Sequence, residues 1–228
     1  MKAVKNRKTF GRTLICLFFS IMIVIPVTVF AADDLANIRK DLDSTNWQTR
    51  LAAVEKLGNR KDEQSIELLM KVAGMREEYW PVKVKAILLL GESKDPKAVD
   101  LLLSIFNDTF QNWECPSIKS YTAIALGNFR GNGKVVDTLI NGVSDRELFT
   151  REASVQSLGK IGDPRAVPYL VNVLDDRSIA MRLSAIKALE GIGDPRAIPY
   201  LQHIAEKETD AQIINEASEA LKNFHPAH

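Results

Sequence analysis

Two stretches of this chain are near copies of each other: Gly159-Lys-Ile-Gly-Asp-Pro-Arg-Ala-Val-Pro-Tyr-Leu170 and Glu190-Gly-Ile-Gly-Asp-Pro-Arg-Ala-Ile-Pro-Tyr-Leu201, offset by 31 residues. A period in that range means stacked helical hairpins, none of which can bury its apolar face alone. With the leucine near the end of each second helix as an anchor, the period runs through Leu57, Leu90, Leu126, Leu158, Leu189 and Leu221, in steps of 33, 36, 32, 31 and 32. Four residues before each anchor stands a small side chain: Ala53, Ala86, Thr122, Ser154, Ala185 and Ala217. The i, i+4 spacing puts both on one helix face. The small residue lets helices approach, and the leucine fills the space between repeats.

The local grammar is helical as well. In Gly162-Asp163-Pro164 and Gly193-Asp194-Pro195, glycine can take the left-handed conformation that ends one helix and aspartate can cap the next. Proline then occupies the first helical position, where no donor is lost. Asp95-Pro96 is a third example. Pro168 and Pro199, four residues further on, predict an irregular first turn or a helix proper that begins there. No sustained period-two stretch is bounded by hairpin turns, so no sheet is expected.

The pattern G-x-I-G-D-P-R-A-V-P-Y-L-x-x-x-L-x-D, followed by a short turn and R-x-x-A/S-V/I-x-x-L, resembles the short HEAT-like repeats first associated with phycobilisome lyases, from about Trp47 to Phe224. The resemblance implies an all-α fold, a right-handed α-solenoid of about five to six HEAT-like helical hairpins. It would occupy residues 47–224, after a capping segment at 32–46 and before a tail at 225–228. It also implies that first helices lie on the convex side and second helices on the concave side. An aspartate at the turn should pair with an arginine early in the second helix: Asp145 with Arg151, Asp176 with Arg182, and less regularly Asp43 with Arg50. Lys83 and Lys119 take the arginine place in repeats two and three, where a planar fork is missing. Near Ile214 the charge is gone, as in a capping element.

Residues 1–31 have the layout of a secretory signal. Lys2, Lys5, Arg7, Lys8 and Arg12 form a positive n-region, the uncharged run Leu14 to Ile25 an h-region, and Pro26 a break before Val29-Phe30-Ala31. Cleavage is expected between Ala31 and Ala32; the alternative is an uncleaved membrane anchor from Leu14 to Ala32. Export to the periplasm or the medium follows as an expectation. Removing the segment leaves 25 basic against 29 acidic side chains, a net charge of −4. Nucleic acid is not an expected partner, because it needs a basic face. Cys16 falls within the signal, so Cys115 has no internal cysteine to pair with and could bridge only to another chain.

No catalytic set assembles from the sequence. His203, His225 and His228 are the only histidines. The deoxyhypusine hydroxylases, similar in helical pairs, hold iron with His-Glu steps that have no counterpart here. Spacings for metal ligands, phosphate loops and nucleophile elbows are absent, and no cofactor is expected. Gly131-Asn132-Gly133-Lys134 aligns with the ordinary inter-repeat turn. Cys115 lies between Glu114 and Pro116, neither of which would activate a thiol.

What remains is a binding surface. Counting two, five and nine residues beyond the Arg50-type position gives the outward positions of each second helix. These include Lys85 and Leu88, Tyr121 and Ile124, and Gln156. Leu88, Tyr121 and Ile124 are apolar where other repeats are mostly polar, the look of a protein-binding patch; rotated repeats would bury them instead. The step of 36 adds length at Asn107 to Ser117, with Phe110, Trp113 and Cys115, and Tyr79 and Trp80 fill the equivalent turn one repeat earlier. Leu88, Trp113, Tyr121 and Ile124 are the candidate recognition residues for a protein or peptide, with Lys85 and Gln156 at the rim. The expected function is a non-catalytic scaffold or adaptor. An accessory subunit of a lyase-like or oxidoreductase-like enzyme is the alternative that the resemblance implies.

Overall fold

The computed structural model describes residues 27–109 and 115–224. The n-region, the h-region, Trp113 and the tail at 225–228 lie outside the described residues. The chain divides into two units, 1–36 and 37–228. In the first, residues 27–36 are helical and belong to α1 (Val27–Leu42), within which the Ala31-Ala32 bond falls. Among the described residues no helix is long and apolar enough to cross a membrane.

The second unit is a run of helical hairpins. After the end of α1 come α2 (Trp47–Arg60), α3 (Glu63–Gly74), α4 (Trp80–Ser93), α5 (Val99–Asn107) and α6 (Pro116–Leu126). Then follow α7 (Gly133–Gly142), α8 (Leu148–Ile161), α9 (Val167–Val173), α10 (Ile179–Ile192), α11 (Ile198–Lys207) and α12 (Ala211–Asn223). All regular structure among the described residues is helical, and the fold is an α-solenoid. The even-numbered helices are the second helices of the repeats. They stack on one another in sequence, α2 to α4 to α6 to α8 to α10 to α12, and from α4 onward each also packs on the first helix of its own hairpin.

The turns form as their residues dictate. Gly162 and Gly193 end α8 and α10 with φ of 78° and 70°, where a side chain would be strained. The next residue, Asp163 or Asp194, accepts the amide of Arg165 or Arg196 at 2.9 Å. Pro164–Ala166 and Pro195–Ala197 then form single 3-10 turns before the α-helix begins at Val167 or Ile198. The irregular entry implied by Pro168 and Pro199 is therefore this 3-10 turn. Asn132 caps α7 by accepting the Val135 amide at 3.3 Å, which makes the Gly131 to Lys134 segment an inter-repeat turn.

The anchors are core residues. Leu57, Leu90, Leu126, Leu158 and Leu189 are fully buried, as are all six small residues four positions before the anchors. Leu221 is only half-buried, because no described helix follows α12 to cover it. Directly after four anchors stands a glycine, Gly58, Gly91, Gly127 or Gly159, and these set the spacing of the stack. A Cβ on Gly91 would lie 2.6 Å from the Ala125 Cα, and one on Gly159 would lie 2.5 Å from the Ala188 Cα. At Gly91 and Gly159 consecutive second helices thus touch backbone to backbone, an approach that only glycine permits, whereas Gly58 and Gly127 face the side chains of Leu89 and Ser157.

Candidate functional site

At three of the five second helices that carry one, the basic residue early in the helix forms its ion pair with the next repeat and not within its own hairpin. Arg50 donates from Nε (3.0 Å) and Nη2 (2.6 Å) to Glu78 of the next repeat, and from Nη1 to the Ser44 carbonyl at 2.8 Å. Lys119 Nζ lies 2.5 Å from Asp145 Oδ2, and Arg182 is paired with Glu208. Each rung therefore joins a second helix to the turn of the following repeat. The expected pairs are corrected accordingly. Arg151 reaches Asp145 only through the backbone carbonyl, at 3.2 Å, and Arg182 turns away from Asp176. The carboxylates of Asp145 and Asp176 instead accept the amides two residues on, from Glu147 (2.9 Å) and Ser178 (2.8 Å). The turn-closing bond fixes one oxygen of each carboxylate against the backbone of its own turn. Burial works against ionisation of Asp145, yet the hydrogen bonds from Lys119 and the Glu147 amide hold its carboxyl below the usual range. Lys83 is 1% exposed and donates to the Met75 carbonyl at 2.8 Å; burial pushes its ammonium below the ordinary lysine range.

Between α6 and α8 the second-helix face opens into a groove of about 450 Å³. Small residues form its floor: Ser120 and Ala153, both buried, with Ser117 also in the lining. Tyr121, Ile124 and Phe149 supply the apolar lining, Ile124 at 41% and Phe149 at 74% exposure. Glu152 and Gln156 complete it, and the Gln156 amide donates to Glu152 Oε1 at 3.2 Å. The volume falls within the usual range for ligand sites.

Of the residues singled out from the sequence, Tyr121, Ile124 and Gln156 come together here. Leu88 and Lys85 do not line this groove. Leu88 sits half-buried on α4, one repeat before Ile124, and Lys85 Nζ is 3.4 Å from Glu55 of α2. Phe149 and Glu152 were missed by counting only outward positions. Phe149 lies in the first turn of α8, ahead of the counted register, and Glu152 lies one residue past Arg151. A second exposed aromatic set stands at the start of α2 and α4, where Trp47 and Tyr79 ring centroids are 5.1 Å apart and Tyr79 and Trp80 6.4 Å apart. Cys115, partly buried and free of disulfide, immediately precedes α6. Among the described residues no three His, Cys, Asp or Glu side chains gather in a metal-binding arrangement.

Stacked hairpins with a glycine-tightened seam of second helices and an open groove on that seam define a repeat protein of the α-solenoid class. HEAT repeats match residues 35–114, 111–179 and 164–222, and the chain belongs to the HEAT-repeat family. No curated protein matches it in sequence. Among solved structures it is similar to the complex of CpcE and CpcF of phycocyanin lyase from Nostoc sp. PCC7120, at 26% identity and a TM-score of 0.58, over 71% of this chain and 65% of that one. A designed armadillo repeat protein in complex with the peptide (KR)4 aligns at 18% identity and a TM-score of 0.59, over 84% and 99%. An archaeal HEAT-like repeats protein from Thermococcus onnurineus NA1 aligns at 15% identity and 0.51, over 86% and 90%. The last two likenesses are of fold.

Proposed function

We propose that this chain is a non-catalytic scaffold or adaptor of the cell envelope, which holds a protein or peptide on its second-helix face. The observation that carries the reading is the open groove lined by Tyr121, Ile124, Phe149 and Gln156, on a fold whose repeated leucine and small-residue positions serve stacking. Designed armadillo repeat relatives in fold bind peptides, which supports the same use of a solenoid face. Export is the reading of the N-terminal 31 residues, supported by their charge and hydropathy layout. Replacing Tyr121 and Ile124 together by aspartate, then repeating an affinity capture from the envelope fraction, tests the docking role. Loss of specific captured proteins with helical content intact is expected; an unchanged set overturns it. N-terminal sequencing of the mature product tests the export reading, with Ala32 expected first.

The likeness to the phycocyanin lyase complex supports a second reading, an accessory subunit of a pigment-handling enzyme. An absorbance spectrum of the purified protein separates the two, since a bound chromophore is expected only under this second reading.

A further inference from the structure

The groove between α6 and α8 contains one charged side chain, Glu152, and no cation. That carboxylate is out of pattern. The residue after the rung base reads Leu51, Val84, Ser120, Glu152, Leu183 and Asn215 along the six second helices, so a charge stands there in α8 alone. Among the described residues, no lysine or arginine comes within ion-pair distance of Glu152, whose hydrogen bond is to the uncharged Gln156 amide. Two acids of the second-helix face have ion partners one repeat away, Glu55 with Lys85 at 3.4 Å and Glu216 with Lys187 at 3.6 Å. Flanking Glu152 in the lining are the rings of Tyr121 and Phe149, and Ile124.

We propose that this groove receives a lysine or arginine side chain from an extended segment of the partner protein, with Glu152 as its counter-ion. The inference rests on the docking reading of the same groove and adds the chemistry of the occupant. A long basic side chain suits the lining on both counts. Its aliphatic stem covers Ile124 and Phe149, while its head meets the carboxylate beside an aromatic face, an arrangement that ring quadrupoles favour. An acidic segment would meet Glu152 with like charge, and a wholly apolar one would leave the carboxylate desolvated without a partner.

The test uses fluorescence anisotropy with two fluorescein-labelled peptides, one of alternating leucine and arginine and one with citrulline, the uncharged isostere, at each arginine. The arginine peptide is expected to bind the full chain, and its dissociation constant to rise roughly fivefold with Glu152→Gln, as for a solvent-accessible ion pair. The citrulline peptide is expected to bind about as weakly to both proteins, and Glu219→Gln, on the exposed surface of α12, to change nothing. Added salt should weaken only the arginine peptide. Equal affinity for the two peptides, indifference to Glu152→Gln, or no binding of either would overturn the proposal. The broader docking reading stands or falls separately, on capture by the Tyr121→Asp, Ile124→Asp protein.

Discussion

Lys119 of α6 and Asp145 of the turn before α8 lie 2.5 Å apart, and Lys119 Nζ also sits 4.9 Å from the centre of the Phe106 ring. The pair ties the third repeat to the fourth at the end of the groove. Asp145 ionises at lower pH in the folded chain than in the unfolded one, where an aspartate titrates at about 3.9. Its contribution is therefore complete above the unfolded value and is lost as pH falls through the folded value. Asp145→Asn is expected to lower stability by about 1–2 kcal/mol at neutral pH, for a half-buried charged hydrogen bond. Urea midpoints measured from neutral to acid pH should converge for parent and variant at the acid end.

Leu158 is fully buried between α8 and its neighbours, whereas Leu221 is only partly covered. Leu158→Ala should cost roughly 2–5 kcal/mol, and Leu221→Ala clearly less, since the cavity term scales with how completely the site is enclosed. Chemical denaturation of the two variants side by side checks the order; equal losses would contradict the assigned interface.

Gly159→Ala places a methyl 2.5 Å from the Ala188 backbone, which cannot move aside as a flexible side chain can. Overpacking of about 1–3 kcal/mol is expected. Gly131→Ala meets no atom within 4 Å, but φ at this position is 76°, so its cost is conformational, about 1 kcal/mol. Melting temperatures should fall further for the first variant, and only the first should loosen the junction of α8 with α10 in hydrogen exchange.

Asp163 accepts the Arg165 amide and is held below the usual carboxylate range first by the Arg165 side chain, despite some burial. Asp163→Ala removes the cap of the 3-10 turn and should cost about 0.5–2 kcal/mol. Asp163→Asn retains an acceptor, so a thermal melt of that variant should show most of the stability returned.

The hairpins were legible because their signals are local. An anchor leucine with a small residue four positions earlier, or Gly-Asp-Pro at a turn, decides structure within a few residues of itself. The rungs were not, since Arg50 reaches Glu78 and Lys119 reaches Asp145 across repeats, while an aspartate nearer in sequence offered a plausible partner. The Leu-Gly pairs at 57–58, 90–91, 126–127 and 158–159 were a readable signal for the close seam that anchor counting passed over. The groove was half legible: Tyr121, Ile124 and Gln156 follow from helix register, but Phe149 enters from the first turn of the next helix, which register on a single helix cannot foresee. Glu152 could have been found as the one charged residue at a position otherwise held by uncharged side chains.

The rungs also govern how such an array can change length. Where the cation of one unit is neutralised by the acid of the unit after it, as for Arg50, Lys119 and Arg182, excising part of a hairpin would strand a charge in the wall. Duplication or loss of one whole unit, cut at the glycine turns, brings or removes a cation and an acid together. Growth by recombination is thereby confined to integral steps, and the chain is quantised in length by its electrostatics as much as by its leucines.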